Sequence, residues 1–250
     1  MIQVCLNGTR DPAESGALPL SPRALAAAAA EAVAAGAADV HVHPKTPCGS
    51  DSMSPRVLDP LLGGLRGAVD VPVGVTTGAW AEPDPLRRVE RVRSWSVLPD
   101  HASVNWHEEG AEELAAALLA RGVGVEAGIW SGTDGARLFA RSPLRPRVLR
   151  VHAEVTDRDP ESAPATARAL LGELGDLGGV PVLLHGEEGG AWPVLRLAAR
   201  LGLDTRVGLE DVLLLPDGRP AGSNAELVEA AARLVEAAGR RRGGGGADPG

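Results

Sequence analysis

The strongest constraint on the fold is a beat that repeats eight times: a short apolar run, a polar break, then a helix-forming stretch. Strands are predicted over Met1–Leu6, Ala38–His43, Val71–Thr76, Ala102–Asn105, Val123–Ala127, Arg147–Val155, Val180–His185 and Thr205–Glu210. Helices are predicted from Ser21-Pro22 to Ala35, from Ser54-Pro55 to about Leu65, and over Asp84–Val97 and Ala111–Arg121. Four more are predicted over Thr133–Arg141, Ser162–Leu174, Ala191–Leu201 and Asn224–Ala238. Each Ser-Pro pair sets a capping hydroxyl before a proline whose missing N–H costs a first turn nothing. Gly36 supplies a stop.

Eight β-then-α units in 250 residues suit one closed (β/α)₈ TIM barrel, residues 1–238. A doubly wound open sheet uses the same units. Closure is favoured by the polar strand ends: Asn7, His41, His43, Thr76, Asn105, Glu126, His152, Glu154, His185, Glu210 and Asp211. A barrel gathers these at one mouth; an open sheet strings them along an edge too long for one site. Residues 239–250, rich in Arg and Gly, read as a disordered tail. The net charge of −8 and the lack of a basic patch argue against nucleic acid. No run of 18 apolar residues offers a membrane span, and no leader pattern opens the chain. Cys5 and Cys48 make no disulfide framework, so a cytoplasmic setting is expected.

The chemistry concentrates at two strand ends. His41 and His43, spaced i and i+2, point the same way. In Thr205-Arg206-Val207-Gly208-Leu209-Glu210-Asp211, strand alternation sets Arg206, Gly208 and Glu210 on one side. Two imidazoles and Glu210 suffice for a catalytic zinc with an open position, and also suit non-haem Fe(II). The competing reading makes one imidazole a hydrogen-bonded core group and the other a loop residue. Asp211 is then a base or orienter, or only a loop cap. Arg206 holds a carboxylate bidentately, or forms an interior ion pair, for example with Glu126.

Other mouth residues carry weaker signals. Thr76, Thr77 and Gly78 offer hydroxyls and a backbone N–H to a substrate oxygen, or simply make a turn. Asn7 and Arg10 are candidates for the polar end of a substrate, with a solvated loop charge as the alternative for Arg10. Ser103 and Asn105 share a face aimed at the barrel axis. Arg150, His152 and Glu154 share another face and read as an ion network. His185 is expected behind the site or against substrate, His101 at the barrel bottom, and His107 in solvent. Cys48 reads as a bystander.

The motifs together resemble a known family, the β-keto acid cleavage enzymes. The matching residues are Asn7-Gly8 with Arg10, Gly36-Ala37 before His41-Val42-His43, Thr76-Thr77-Gly78 and Ser103-Val104-Asn105. Most specific are Arg206-Val207-Gly208-Leu209-Glu210-Asp211 and Ser223-Asn224-Ala225-Glu226-Leu227-Val228. The resemblance implies a (β/α)₈ barrel, usually a homotetramer, with zinc or another divalent metal on His41, His43 and Glu210. It implies condensation of a β-keto acid with acetyl-CoA, then cleavage to acetoacetate and a new acyl-CoA. It makes Asp211 the base, tuned by Arg206, with Thr76, Thr77 and Gly78 on the substrate carboxylate. Arg10 then faces the variable end of the substrate and suggests an acidic or polar tail. Asn7, Ser103, Asn105 and Glu126 complete the expected substrate-binding set. Many relatives carry a second acidic residue two positions beyond Glu126, where this chain has Gly128. A metal-dependent hydrolase or aldolase on the same barrel is the alternative, and a metal-free binding protein is a third reading.

Overall fold

A computed structural model of the chain describes residues 1–243. In chain order the elements are β1 (Ile2–Cys5), α1 (Pro22–Ala34), β2 (Asp39–Val42), α2 (Pro55–Arg66), β3 (Val73–Thr76) and α3 (Pro85–Ser94). They continue as β4 (His101–Asn105), α4 (Ala111–Ala120), β5 (Gly124–Trp130), α5 (Gly135–Arg141) and β6 (Arg150–Val155). The last are α6 (Ala163–Leu174), β7 (Val182–Gly186), α7 (Ala191–Leu201), β8 (Asp204–Val207) and α8 (Asn224–Gly243). The strands pair in parallel and in sequence order, and β1 closes on β8 through Ile2↔Thr205, Gln3↔Arg206 and Val4↔Val207. The result is a closed (β/α)₈ barrel, as expected.

The local reasons match the sequence. Ser21 Oγ accepts from the Ala24 N–H at 3.2 Å, with Pro22 opening α1. The Asp84 carboxylate accepts from Leu86 and Arg87 at the start of α3. One set of alternating strand residues is apolar and fully buried: Val4, Val40, Val42, Val75, Ala102, Val125, Ala127, Val151, Ala153 and Leu184. These pack against the helices and make the main core.

The other set is polar. Barrels of this kind usually fill their interior with branched apolar side chains; here Gln3, Asp39, His101, Glu126 and Arg150 occupy it, all buried. Arg150 bonds Asp39 at 2.5 Å and Glu126 at 2.6 Å. His101 sits 3.0 Å from Asp39 and 3.1 Å from Glu126. Gln3 donates to both carboxylates at 2.9 Å. Charges can occupy so dry a place only when paired and hydrogen-bonded. Gly74 makes the room: a Cβ there would lie 2.0 Å from the His101 ring. The expected network on β6 is therefore real for Arg150, whereas His152 and Glu154 stand above it, nearer the mouth.

Several boundaries differ from expectation. His101 begins β4 rather than preceding it, β5 runs on to Trp130, and α3 ends at Ser94 rather than near Val97. Helix α8 continues to Gly243 instead of ending at Ala238, so the predicted tail does not begin at 239. Arg233–Glu229 and Arg240–Glu236 contacts at i,i+4 spacing favour that extension. The rest of the predicted tail, 244–250, lies outside the described residues. Among the described residues no helix is long and apolar enough to cross a membrane.

Candidate metal centre at the barrel mouth

Strand β8 stops at Val207, so strand alternation is not what presents Glu210. The Asp211 and Val212 N–H groups both donate to the Gly208 carbonyl at 3.0 Å, closing a turn that carries Glu210 and Asp211 together to the mouth. Gly208 is required there: a Cβ would lie 1.9 Å from the Cys5 carbonyl oxygen. Gly8 is required too. Its φ is +57°, and a Cβ would fall 2.3 Å from Glu210 Cγ. The β1–α1 loop is thus moulded around the Glu210 side chain.

His41, His43 and Glu210 meet. Their ligand atoms lie within 4.8 Å of one another. His43 Nε2 is 3.4 Å from Glu210 Oε1, and His41 Nε2 is 4.0 Å from Glu210 Oε2. Two ligands each about 2 Å from zinc at a tetrahedral angle stand about 3.3 Å apart, so the spacing suits a shared cation. Buried polar atoms rarely stay unpaired. Yet Glu210 Oε2 has no hydrogen-bond partner among the described residues. A divalent ion would give it one, and the donor set fits the group.

The surroundings fix these ligands. Asn7 donates to the His43 carbonyl and accepts from the His43 N–H, both at 2.9 Å. Asp51 lies 3.3 Å from His43 Nδ1 and is itself held by Lys45 at 2.6 Å. A carboxylate behind an imidazole fixes its tautomer and orientation, as metal-ligating histidines commonly require. Burial pushes the His41 pKa down to about 4, leaving a neutral imidazole. Burial pulls His43 the same way, but the Glu210 and Asp51 carboxylates overcome it and raise His43 to about 9. Burial opposes ionisation of Glu210, and the adjacent Arg206 and His43 win, holding its carboxyl well below the usual range.

Arg206 joins both acidic residues of the turn. Its Nη2 is 2.8 Å from Glu210 and 2.7 Å from Asp211, and its Nε is 3.0 Å from Asp211. Cys5 Sγ donates to Asp211 at 3.1 Å, and His185 Nδ1 is 3.2 Å away. Despite burial, Arg206 and His185 keep Asp211 well below its ordinary pKa. Arg206 thus holds a carboxylate bidentately, that of Asp211, and the alternative pairing with Glu126 is not made. Glu126 pairs with His101 and Arg150 beneath the triad and is fully buried. It touches the site only through His41 Nδ1, at 4.0 Å, so its expected place among the substrate contacts is corrected.

Above the triad opens a cavity of about 510 Å³. His43, Arg206, Glu210 and Asp211 line its depth, Trp80 and Trp130 its wall, and Arg10, Glu14, Arg158, Glu187 and Glu188 its rim. Trp80 stacks on His43 with ring centroids 6.0 Å apart and on Trp130 at 6.3 Å. Several sequence-predicted contacts serve the frame instead. Arg10 is bound by Glu188 at 2.6 Å, Glu14 at 2.9 Å and the Leu209 carbonyl at 2.7 Å. It braces the Glu210 turn and is not free to attract an acidic substrate tail. Asn7 spends both ends of its amide on His43. Thr77 donates to the Ser103 carbonyl at 2.5 Å. Gly78 makes room for Trp80, since a Cβ would lie 2.3 Å from that ring. Asn105 donates to Glu108 at 2.8 Å and stands where a side chain at Gly128 would collide, 2.6 Å from its Cβ position. Thr76 is buried opposite Ser103 and accepts from the Gly78 N–H at 3.3 Å. His107, expected in solvent, packs on Trp130 at 4.8 Å.

Sequence reading missed Asp51, Cys5, both tryptophans and the rim residues Glu187 and Glu188. Only Trp130, directly after an apolar run, carried a usable cue. Glu187 is pushed up to about 7 by burial and by the Glu154 carboxyl beside it.

Compared with known proteins, residues 1–242 match the beta-keto acid cleavage enzyme family. No curated protein matches the chain. Among solved structures, ObcA in ternary complex with a C4-CoA adduct and oxalate is similar at TM-score 0.66 and 17% identity, covering 90% of this chain and 65% of its own. Apo ObcA gives 0.67 and 19%, covering 91% and 63%. BexX of the Amycolatopsis orientalis BexX/CysO complex gives 0.57 and 17%, covering 100% and 93%. At such identities these likenesses speak for the barrel alone, and the chain spans less than two thirds of ObcA's length. The family match covers almost the whole chain: it belongs to the beta-keto acid cleavage enzymes.

Proposed function

We propose that the chain is a metal-dependent enzyme joining a β-keto acid to acetyl-CoA and splitting the product into acetoacetate and a new acyl-CoA. The observation that carries this is the convergence of His41, His43 and Glu210 beside the Arg206–Asp211 pair, at the floor of a cavity, in a member of this family. His41, His43 and Glu210 would hold the cation, with zinc the first choice for an N/N/O set. When bound, such an ion acts as a Lewis acid that draws charge from the carbonyl oxygen of the keto acid.

The protein's own groups supply the rest. Asp211 accepts the proton from the carbon beside that carbonyl. Arg206 and His185 keep Asp211 ionised, so at neutral pH it carries no proton of its own. The same clamp makes it a weak base, so it acts only on a carbon already made acidic. The Thr76 hydroxyl, which accepts from Gly78 and donates to no described residue, is left to donate to a substrate oxygen. Trp80 and Trp130 give this side of the cavity an aromatic wall. The CoA adduct seen with ObcA supports a CoA thioester as co-substrate. A homo-oligomeric, tetrameric state and a cytoplasmic setting belong to the same proposal; the free thiols Cys5 and Cys48 suit the latter.

The test is a panel of β-keto acids with acetyl-CoA and zinc, read by acetoacetate formation. Acetoacetate released with a new acyl-CoA supports the proposal. Turnover without CoA would instead favour the hydrolase or aldolase reading.

A further inference from the structure

A second cluster of metal-binding side chains lies at the ends of β6 and β7; of its members only His185 has a part in the reaction above, beside Asp211. His152 and Glu154 come from β6, and His185 comes from β7. Register pairs Glu154 with His185 and so turns both inward. Their ligand atoms also lie within 4.8 Å of one another. The two imidazole centroids are 4.5 Å apart. His185 Nε2 is 3.6 Å from Glu154 Oε2, close to the spacing of about 3.3 Å between two ligands on one tetrahedral ion.

These groups are short of partners. His152 is 2% exposed and His185 is fully buried. His152 Nε2 has no hydrogen-bond partner among the described residues, nor does either ring nitrogen of His185. His185 Nδ1 lies near Asp211 at 3.2 Å, but out of line for a hydrogen bond. Glu154, at 8% exposure, reaches the cavity, and the Glu187 carboxyl lies against it. Two carboxyls and two imidazoles gathered at one spot, with unpaired nitrogens, ask for a cation.

We propose that His152, Glu154 and His185 form a second site for a divalent transition metal, with Glu187 as a further carboxylate ligand from the rim. Two imidazole nitrogens select a transition ion over Mg²⁺ or Ca²⁺, which prefer oxygen-only shells. An organic ammonium would use the carboxylates and leave the imidazoles unpaired. The site shares no ligand with the His41–His43–Glu210 triad, although His185 Nδ1 lies 3.2 Å from Asp211, the residue after Glu210.

The test measures zinc bound per chain after stripping with chelator, reloading and dialysis. Wild type, His41→Ala, Glu154→Gln and His152→Ala are compared, and cobalt(II) absorption serves as the second readout. The expected result is two equivalents in wild type and one in each variant, with different cobalt spectra remaining in His41→Ala and in Glu154→Gln. Glu154→Gln is isosteric and borders the cavity, so it serves if His152→Ala does not fold. A single equivalent in wild type that disappears in His41→Ala and stays in Glu154→Gln overturns this proposal and leaves the proposed function standing. A single equivalent lost only in Glu154→Gln supports the second site and overturns the triad instead. Two equivalents unchanged in Glu154→Gln and His152→Ala also overturn it.

Discussion

Replacing Gly8 with alanine perturbs the metal site without touching a ligand. Gly8 has a φ of +57°, and the new Cβ would lie 2.3 Å from Glu210 Cγ and 3.0 Å from Glu210 Cβ. Carbon atoms in contact stand about 3.5 Å apart or more, so the Glu210 side chain would have to retreat by about 1.2 Å. Metal–ligand distances tolerate only about 0.2 Å, so the carboxylate would leave the ion's reach. Altering groups that merely orient ligands costs 10–100-fold in affinity, so displacing a ligand predicts a loss of at least about 100-fold. The left-handed backbone adds about 1–2 kcal/mol of strain. Gly122→Ala controls for strain alone, because Gly122 has a φ of +76° with nothing within 4 Å of its Cβ position. Zinc titration followed by calorimetry, with thermal melts alongside, separates the two effects. Gly122→Ala should lose only the backbone strain, Gly8→Ala should lose more because Glu210 is displaced as well, and only Gly8→Ala should lose metal. Gly8→Ala binding zinc as tightly as Gly122→Ala would refute the role assigned to Glu210.

Further outcomes follow from the same geometry. Glu210→Gln should lower zinc occupancy and acetoacetate formation together. Asp211→Asn should cut turnover by 100-fold or more, about the worth of a positioned base, while zinc stays bound; loss of zinc in that variant would contradict its role. His101 is opposed by burial but raised to about 10 by Glu126 and Asp39, so its cation stabilises the fold fully below about pH 6.5. That contribution disappears as pH rises through about 10. The stability gap between wild type and His101→Gln, about 3–5 kcal/mol at pH 6 for a broken buried pair, should therefore shrink in denaturant titrations toward pH 10. His43 is raised to about 9, so zinc must displace its proton below that pH. Zinc affinity should tighten by about tenfold per pH unit between pH 6 and 9, with about one proton released in different buffers.

The barrel was legible because each apolar run had a helix behind it and a polar residue at its end. Glu210 and Asp211 were found for a partly wrong reason. A strand was expected to carry them, whereas β8 ends at Val207 and a turn on Gly208 brings them in together. Arg10 and Asn7 were expected to meet substrate. A sequence shows that a cation or an amide is near the mouth, but not which acid or peptide group has already claimed it. Arg10 illustrates this, since its partner Glu188 lies on the far side of the barrel in sequence. Cys5 was invisible for a similar reason, since it acts through Asp211, which only closure brings close. Asp51 reaches His43 because the loop after β2 folds back on itself through the Lys45–Asp51 pairing, which its sequence does not announce. The polar interior was half visible in Arg150, His152 and Glu154, but its division into a buried network and a mouth cluster depends on depth along β6.

The central claim is that two imidazoles from the second strand end and the glutamate after the eighth strand share one ion. Anomalous diffraction at the zinc edge, from crystals grown with zinc, tests it most directly. The account predicts a peak about 2.0–2.2 Å from nitrogens of His41 and His43 and from a Glu210 oxygen. Density at the mouth with no peak among those three side chains, in zinc-replete crystals, would contradict it.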